Sequence, residues 1–267
     1  MIVYAHRGAS KELPENTLPA FERAAALGVD AIETDVHLSH DGVVVVHHDD
    51  DGARMAAVDR RVAEQSFEEL SRWDVGFGFR TSEGEFLRER FRIPRLSEVL
   101  EALPSMRFNI DLKRHDRRMA EEAVALVRRH GAEERVLLTS FDEATVRAVR
   151  ALGYRGQTGL AQREVLRVLA LPAASPKWLR PGGDRVQIPV GVGRLRLATP
   201  KVIARLQKLG YAVDFWVVDD PSEVRRLEAI GADGVMTDHP AGLADAGILT
   251  GRMRAGALLA YTQARLR

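Results

Sequence analysis

The sequence predicts an α/β fold, a parallel (β/α)8 barrel with a small insertion after the second strand. Short runs rich in Val, Ile, Leu and aromatic residues alternate with amphipathic stretches of helical period. Eight such runs separated by helices favour a closed parallel sheet. An open doubly wound sheet is the alternative, but no Gly-x-Gly-x-x-Gly follows a strand, which disfavours its dinucleotide-binding form.

The predicted strands cover residues 2–6, 31–37, 107–113, 135–140, 156–160, 185–188, 212–218 and 234–237. The predicted helices cover residues 17–27, 117–130, 142–152, 200–209 and 221–230. Each helical stretch carries apolar residues at helical spacing, and a glycine follows most of them, which is typical of a helix end.

One segment departs from this alternation. The dipeptide Asp41-Gly42 is a strong turn signal that leads into the apolar run 43–46, so a hairpin is expected on the second strand. Residues 50–92 are too long for a simple connection and contain a helical stretch near 66–73. We interpret them as an insertion over the mouth of the barrel, within a single domain of residues 1–267.

Composition excludes several classes of function. The 267 residues are 45% hydrophobic and carry a net charge of +1, so nothing global indicates a nucleic-acid partner. The absence of cysteine excludes disulfides, thiolate metal sites and cysteine nucleophiles. No signal peptide and no apolar run of membrane-spanning length is present. We therefore expect a cytoplasmic protein without stable membrane insertion, either a monomer or a homodimer.

Acidic residues interrupt two predicted strands. Glu33, Asp35 and His37 alternate along the second strand and so share one face, and Asp111 and Lys113 do the same on a later strand. Buried carboxylates are costly unless they are paired or bind a cation. A solvated edge or a structural ion pair would be the plainer interpretation. As a site, the oxygen ligands favour Mg²⁺ or Ca²⁺ over zinc, with His37 either a ligand or a wall residue.

Two histidines follow strands at the same end. His6-Arg7-Gly8 comes directly after the first strand, where imidazole can transfer protons and guanidinium can bind phosphate. His48, in His47-His48-Asp49, ends the returning strand of the hairpin. That tripeptide alone fits a metal site, an acid/base unit or a solvated turn. Its return to the carboxylate-bearing strand favours chemistry.

Taken together these motifs resemble the glycerophosphodiester phosphodiesterase family. The resemblance covers about residues 2–245 in the family's order. It rests on Ala5-His6-Arg7-Gly8, Pro14-Glu15-Asn16-Thr17, Glu33-Thr34-Asp35-Val36, Val45 to Asp49, Asn109-Ile110-Asp111-Leu112-Lys113, Ser140-Phe141, Trp216-Val217-Val218 and Thr237-Asp238-x-Pro240.

The resemblance implies a TIM barrel that hydrolyses a small-molecule glycerophosphodiester to sn-glycerol 3-phosphate and an alcohol with a divalent cation. It implies His6 and His48 as the acid/base pair. It implies metal binding by Glu33, Asp35 and Asp111, and substrate binding by Arg7, Lys113 and Trp216. The family usually has Glu where Asp111 stands, so either a water bridges the shorter Asp111 to the ion or the ion shifts.

Two alternatives stay open at this stage. The first is a lysophospholipase D or sphingomyelinase D-like enzyme on the same barrel, which an apolar groove near Phe77, Phe79, Phe86 and Phe91 would favour. Packing of the insertion onto the barrel is the plainer interpretation of those residues. The second is a barrel that binds without catalysis, which the presence of both histidines disfavours.

Overall fold

The structure is a computed structural model that describes residues 1–80, 84, 89–113, 117–172 and 175–249. Its strands, in chain order, are β1 (Ile2–His6), β2 (Ala31–Leu38), β3 (Val44–Val46), β4 (Asp51–Gly52), β5 (Val58–Arg61), β6 (Arg107–Leu112), β7 (Val136–Thr139), β8 (Arg185–Pro189), β9 (Gly191–Val192), β10 (Leu195–Arg196), β11 (Ala212–Trp216) and β12 (Gly234–Thr237). Its α-helices are α1 (Leu18–Ala26), α2 (Ala53–Ala56), α3 (Phe67–Leu70), α4 (Leu96–Ala102), α5 (Arg117–Arg129), α6 (Glu143–Ala151), α7 (Gln162–Ala170), α8 (Pro200–Lys208), α9 (Pro221–Ala229) and α10 (Pro240–Asp245).

Seven parallel strands form one curled sheet in the order β7-β6-β2-β1-β12-β11-β8. A short segment joins its two open edges. Thr158 forms a parallel bridge to Leu138 of β7, and Gly159 forms one to Arg185 of β8. The predicted barrel architecture is therefore confirmed.

The predicted fifth strand, residues 156–160, is reduced to these two single bridges. Glycine explains the difference, because it packs no side chain and weakens a strand. Gly159 lies so close to Thr139 that a Cβ atom at this position would overlap the threonine side chain. This segment therefore completes the barrel through two single bridges and close packing against β7, and not through an extended series of strand hydrogen bonds.

The helices that the sequence predicts agree with those observed to within two residues at each end. Thr17 caps α1 by accepting a hydrogen bond from the Ala20 N–H, and Asp142 caps α6 in the same way through Thr145. The predictions omitted α4 and α7, which begin without a side-chain cap at Arg95 and Ala161. The missing start signal explains the omission.

The hairpin and the insertion are also present. Val46 of β3 pairs antiparallel with Val36 of β2 across the Asp41-Gly42 turn, as predicted. The insertion buries Trp73 and Phe91 in a hydrophobic cluster separate from the main core. Phe91 thus packs the insertion, whereas Phe77 is 62% exposed. Phe86 and the tail from Gly251 lie outside the described residues.

The main core fills the space between the sheet and the surrounding helices. Phe21, Phe108 and Phe215 are among its fully buried side chains. None of the helices described is long and apolar enough to cross a membrane.

One buried ion pair lies inside the barrel wall. The guanidinium of Arg185 on β8 donates two hydrogen bonds to the carboxylate of Asp214 on β11, with 2.7 Å from Nε to Oδ2. Gln187 donates to the same Oδ2 at 3.3 Å. Both charges are removed from solvent, so each depends on the other for its solvation.

We therefore expect Asp214→Asn to lower the free energy of unfolding by about 3–5 kcal/mol, because it leaves the Arg185 guanidinium buried without a counter-ion. Urea unfolding followed by circular dichroism measures this. The control is Glu68→Gln, which breaks an exposed pair with Arg72 and should leave the midpoint unchanged. Equal midpoints for the two variants would contradict the role given to Asp214.

Candidate active site

A cavity of about 610 Å³ opens at the carboxyl ends of the barrel strands. Active sites of parallel barrels lie at this end because the strand-to-helix loops gather there. The residues assigned a role from the sequence all line this cavity: His6, Arg7, Glu33, Asp35, His48, Asp111, Lys113 and Trp216.

Three carboxylates form the polar floor of the cavity. Strand register brings them together, since His6 on β1 pairs with Glu33, and Asp35 on β2 pairs with Asp111 on β6. Glu33, Asp35 and Asp111 are all buried. The alternation predicted from the sequence thus concentrates negative charge at one point of the barrel.

Lys113 lies between two of these carboxylates. Its Nζ atom is 2.8 Å from Asp35 Oδ1 and 2.7 Å from Asp111 Oδ2. Burial alone would lower the pKa of Lys113, but the two carboxylates outweigh burial and raise it. Burial likewise opposes ionisation of Asp35, yet Lys113 and Arg7 hold the pKa of that carboxyl below its ordinary value.

Lys113 and Arg7 do not fully balance the negative charge of Glu33 and Asp111. Burial, and then repulsion from Asp35, raises the pKa of Glu33 to about 8. Burial also raises the pKa of Asp111, despite its contact with Lys113. Burial and the neighbouring carboxylates therefore oppose ionisation of Glu33, and a further cation in the floor would favour it.

Two buried oxygens of β6 lack a hydrogen-bond partner. They are Asp111 Oδ1 and Asn109 Oδ1, whose side chains both line the cavity. Unsatisfied buried acceptors are uncommon and are expected to meet a ligand, an ion or water. Among the described residues, however, no group of three His, Asp or Glu side chains is already arranged to hold a metal ion.

His6 is held by a carboxylate that follows the neighbouring strand β12. Its Nδ1 donates to Asp238 Oδ1 at 2.6 Å, because a carboxylate can only accept, and its Nε2 lies 3.8 Å from Glu33 Oε2. Burial alone would lower the pKa of His6, but Glu33 and the bond to Asp238 outweigh it and raise the pKa. Asp238 also accepts a hydrogen bond from Ser10 at 3.2 Å.

His48 is also held by an aspartate, which in turn contacts an arginine of the insertion. Its Nδ1 donates to Asp49 Oδ1 at 2.7 Å, and Asp49 Oδ2 accepts from Arg54 Nε at 2.6 Å. His37 does not line the cavity with them: its Nε2 donates to the His48 carbonyl at 3.1 Å. Burial lowers the pKa of His37 to about 4, so its ring is neutral. The structure therefore favours the wall role for His37.

Arg7 takes a left-handed backbone conformation with φ of 57° directly after β1. Such a conformation is unfavourable for a non-glycine residue and is common where function requires a fixed direction. The turn directs the guanidinium to Glu15, at 2.9 Å from Oε1, and to Asp35, at 3.2 Å from Oδ2. Arg54 of the insertion binds the same Glu15 at 2.6 Å.

Asn16 supports the floor from below Arg7. With φ of 58°, a conformation that Asn tolerates, it donates from Nδ2 to Asp35 Oδ2 at 2.9 Å. Its Oδ1 accepts from Thr34 Oγ1 at 2.7 Å. Asn16, Arg7 and Lys113 thus make three polar contacts to the Asp35 carboxylate.

Four further residues of the site have no role predicted from the sequence: Glu15, Asn16, Asp238 and Arg54. The first three lie within the motifs 14–17 and 237–240 that carry the family resemblance, so the motif positions were the available signal. Their contacts join different elements of the fold. Sequence spacing alone does not reveal such contacts.

The other half of the cavity is uncharged and mostly apolar. Trp216 at the end of β11 meets Phe141 edge to face, with ring centroids 6.5 Å apart. The polar residues Thr139, Ser140, Gln162 and Gln187 also line the cavity, and its further apolar lining residues are Leu160, Val165, Leu166, Leu169, Ile188, Pro189, Val192, Leu197, Val217 and Met236. The site thus combines a charged end, which holds the carboxylates, the two basic side chains and the histidines, with an uncharged and mostly apolar end.

The polar end has the groups needed for transfer at a phosphate. Each imidazole is oriented at Nδ1 by an aspartate, so its Nε2 is the atom that can exchange a proton. Arg7 and Lys113 line the same cavity as the two histidines and supply the positive charge that phosphate binding requires.

Comparison with known proteins agrees with this geometry. Residues 6–242 match the glycerophosphoryl diester phosphodiesterase family. A glycerophosphodiester phosphodiesterase of Caldanaerobacter subterraneus subsp. tengcongensis is 33% identical over 251 residues, which cover 90% of this chain and 94% of the relative. A human lysophospholipase D is 30% identical over 271 residues, which cover 90% of this chain and 84% of that relative.

Solved structures show the same relationship. A phosphodiesterase of Oleispira antarctica, in complex with the product sn-glycerol 3-phosphate, superimposes with a TM-score of 0.74 at 25% identity. The match covers 92% of this chain and 96% of that one. The chain therefore belongs to the glycerophosphoryl diester phosphodiesterase family.

Proposed function

We propose that this protein hydrolyses glycerophosphodiesters to sn-glycerol 3-phosphate and an alcohol. The observation that carries the proposal is the pair of aspartate-held histidines, His6 with Asp238 and His48 with Asp49, which line one cavity together with Arg7 and Lys113. The bound sn-glycerol 3-phosphate of the Oleispira relative supports the choice of product. A barrel that only bound a ligand would not need two such pairs.

The phosphate is held by the two cationic side chains of the polar end. Arg7 offers a planar fork of donors, and its position is fixed by Glu15 and Asp35. Lys113 adds a point charge at the cavity end of β6. Both stabilise the negative charge that builds up on the phosphate oxygens in the transition state.

The histidines carry the proton transfers. One Nε2 removes the proton of the glycerol 2-hydroxyl, whose oxygen bonds to phosphorus while the bond from phosphorus to the leaving alcohol oxygen breaks. The other histidine donates the proton that this alcohol requires. Water then opens the resulting cyclic phosphate with the roles exchanged, so one water is consumed for each diester hydrolysed.

A divalent cation, Mg²⁺ or Ca²⁺, fits the floor of the site. Glu33, Asp35 and Asp111 would hold it, since their oxygens are the hard ligands that these ions prefer. The unpartnered Asp111 Oδ1 and the raised pKa of Glu33 both indicate a missing positive charge. When bound, the ion supplies Lewis-acid neutralisation of phosphate charge.

The first test is hydrolysis of glycerophosphocholine with and without a chelator. We expect release of choline and sn-glycerol 3-phosphate, with a rate more than about tenfold lower in EDTA and restored by Mg²⁺ or Ca²⁺. Full activity in EDTA would exclude the metal proposal. Absence of turnover with any of these ions and any glycerophosphodiester would exclude the proposed activity.

The second test concerns the aspartates that orient the histidines. Asp238→Asn and Asp49→Asn should each lower kcat by about 10²–10⁴-fold, because an amide no longer holds the imidazole in the required tautomer. Asp245→Asn, at an exposed position of α10, is the matched control. Steady-state kinetics and thermal unfolding are measured on all three. Near-normal kcat in a folded Asp238 variant would show that His6 does not act as proposed.

A further inference from the structure

We propose that a second cavity, separate from the active site, binds the phosphate group of a phosphomonoester through its arginines. This arginine cavity has a volume of about 370 Å³ and lies between α6, α7 and residues 179–182. Its described lining residues are Arg147, Arg150, Glu164, Arg167, Leu179, Arg180, Pro181 and Gly182. None of them lines the active-site cavity, so this site is independent of the proposed function.

Two helices bring three of the arginines together. Arg147 and Arg150 are three residues apart on α6, and Glu164 and Arg167 have the same spacing on α7. Residues at this spacing lie on one face of a helix, so each pair reaches the arginine cavity together. Other residues of α7 line the active-site cavity, and this helix therefore borders both cavities.

Arg150 is held by hydrogen bonds from every nitrogen of its guanidinium. Nε donates to Thr158 Oγ1 at 3.2 Å, Nη1 to Glu164 Oε1 at 2.7 Å and Nη2 to the Gly159 carbonyl at 2.8 Å. Glu164 is buried and is the counter-ion of this arginine. The charge of Arg150 is thus balanced, and its bonds attach the arginine cavity to the segment that closes the barrel.

Arg180 is also fixed in position, but its charge is not balanced. Its Nε donates to the Ser175 carbonyl at 2.9 Å, and its Nη1 donates to the Leu209 carbonyl at 2.8 Å. Carbonyl oxygens orient a guanidinium without neutralising it. Arg180 forms no ion pair with a carboxylate of the described residues, so one positive charge of the arginine cavity lacks a counter-ion.

The other two arginines, Arg147 and Arg167, share one carboxylate and form the outer pair. Both contact Oε1 of Glu143, which lies 2.7 Å from Nη2 of Arg167. In the described part of the chain each uses only Nη2 for an ion pair, and their side chains are 65% and 50% exposed. The outer pair therefore has one carboxylate for two charges and retains nitrogen donors for a ligand.

The charge balance of the arginine cavity indicates the kind of anion. Four guanidiniums meet two carboxylates, Glu143 and Glu164, which leaves an excess of two positive charges. A concave cluster of like charges attracts counter-ions, and the planar fork of arginine matches the oxygens of a phosphate. A phosphomonoester carries about two negative charges at neutral pH, so it matches the excess better than a carboxylate does.

A soluble phosphomonoester and the head group of phosphatidic acid both supply this phosphate chemistry. The cavity volume lies within the range of about 300–1,000 Å³ that small-molecule sites occupy. Trp178 precedes the lining residue Leu179 and is 82% exposed, and tryptophan is enriched at membrane interfaces. The experiment therefore has a soluble arm and a lipid arm.

The soluble arm is equilibrium dialysis of radiolabelled inorganic phosphate at low salt and mildly alkaline pH, where phosphate is mainly dianionic. We expect the variant Arg147→Gln/Arg167→Gln to raise the Kd of one phosphate site at least about tenfold relative to the unchanged protein, because charge-assisted bonds are lost. Any phosphate bound at the active site is unaffected, so the difference between the two proteins reports the arginine cavity.

The matched control is Arg72→Gln/Arg117→Gln, which removes the same net charge. These two side chains are 69% and 80% exposed, each pairs with a glutamate four residues away, and neither lines the arginine cavity. We expect phosphate binding by this control to equal that of the unchanged protein. Both double variants should keep the kcat for glycerophosphocholine, and thermal unfolding verifies that they are folded.

The lipid arm is co-sedimentation with phosphatidylcholine vesicles that contain phosphatidic acid. Phosphate binding that the outer-pair variant loses, without co-sedimentation, supports a soluble ligand. Co-sedimentation that the outer-pair variant loses and the control keeps supports the lipid head group. Equal phosphate and vesicle binding by the outer-pair variant and the unchanged protein would overturn the inference, and so would an equal loss in the control. Failure of glycerophosphocholine hydrolysis would instead affect only the proposed function.

Discussion

The burial of three carboxylates on neighbouring strands is the constraint on which the rest of the site depends. The register of β2 against β6 places Asp35 opposite Asp111, and Glu33 lies two residues earlier on the same face. Such a group is unfavourable unless cations accompany it. Lys113 and Arg7 supply part of that charge, and the high pKa of Glu33 shows that the balance is incomplete.

The residues around these carboxylates position the two histidines. Glu15 connects Arg7 to Arg54, and Arg54 in turn holds Asp49 against His48. The insertion therefore positions one histidine, while Asp238 after β12 positions the other. The two histidines are held by different parts of the fold. The barrel brings both to the same cavity.

Much of this arrangement was predictable from local pattern. The alternation of Glu33 and Asp35, and of Asp111 and Lys113, follows from the two-residue period of a strand, and the eight β-like runs predicted the barrel. Two features were less accessible. The bond from His6 to Asp238 joins the two ends of the chain, and no local period encodes it. The closing segment around Gly159 also differs from a regular strand, because close packing replaces pairing there.

The apolar lining of the active-site cavity was also not predicted from the sequence. Packing was the plainer interpretation of the insertion's aromatic residues, and Phe91 does pack within the insertion. The apolar lining of the cavity lies elsewhere, partly on α7. Helix α7 carried no side-chain start signal, so its apolar face was not assigned from sequence.

A crystal structure of the protein with Mg²⁺ or Ca²⁺ and sn-glycerol 3-phosphate tests the central claim most directly. The account predicts an ion in contact with Glu33, Asp35 and Asp111, with Lys113 moved from Asp111 towards the phosphate. A structure in which Lys113 still bridges Asp35 and Asp111, and the ion binds elsewhere, would contradict it.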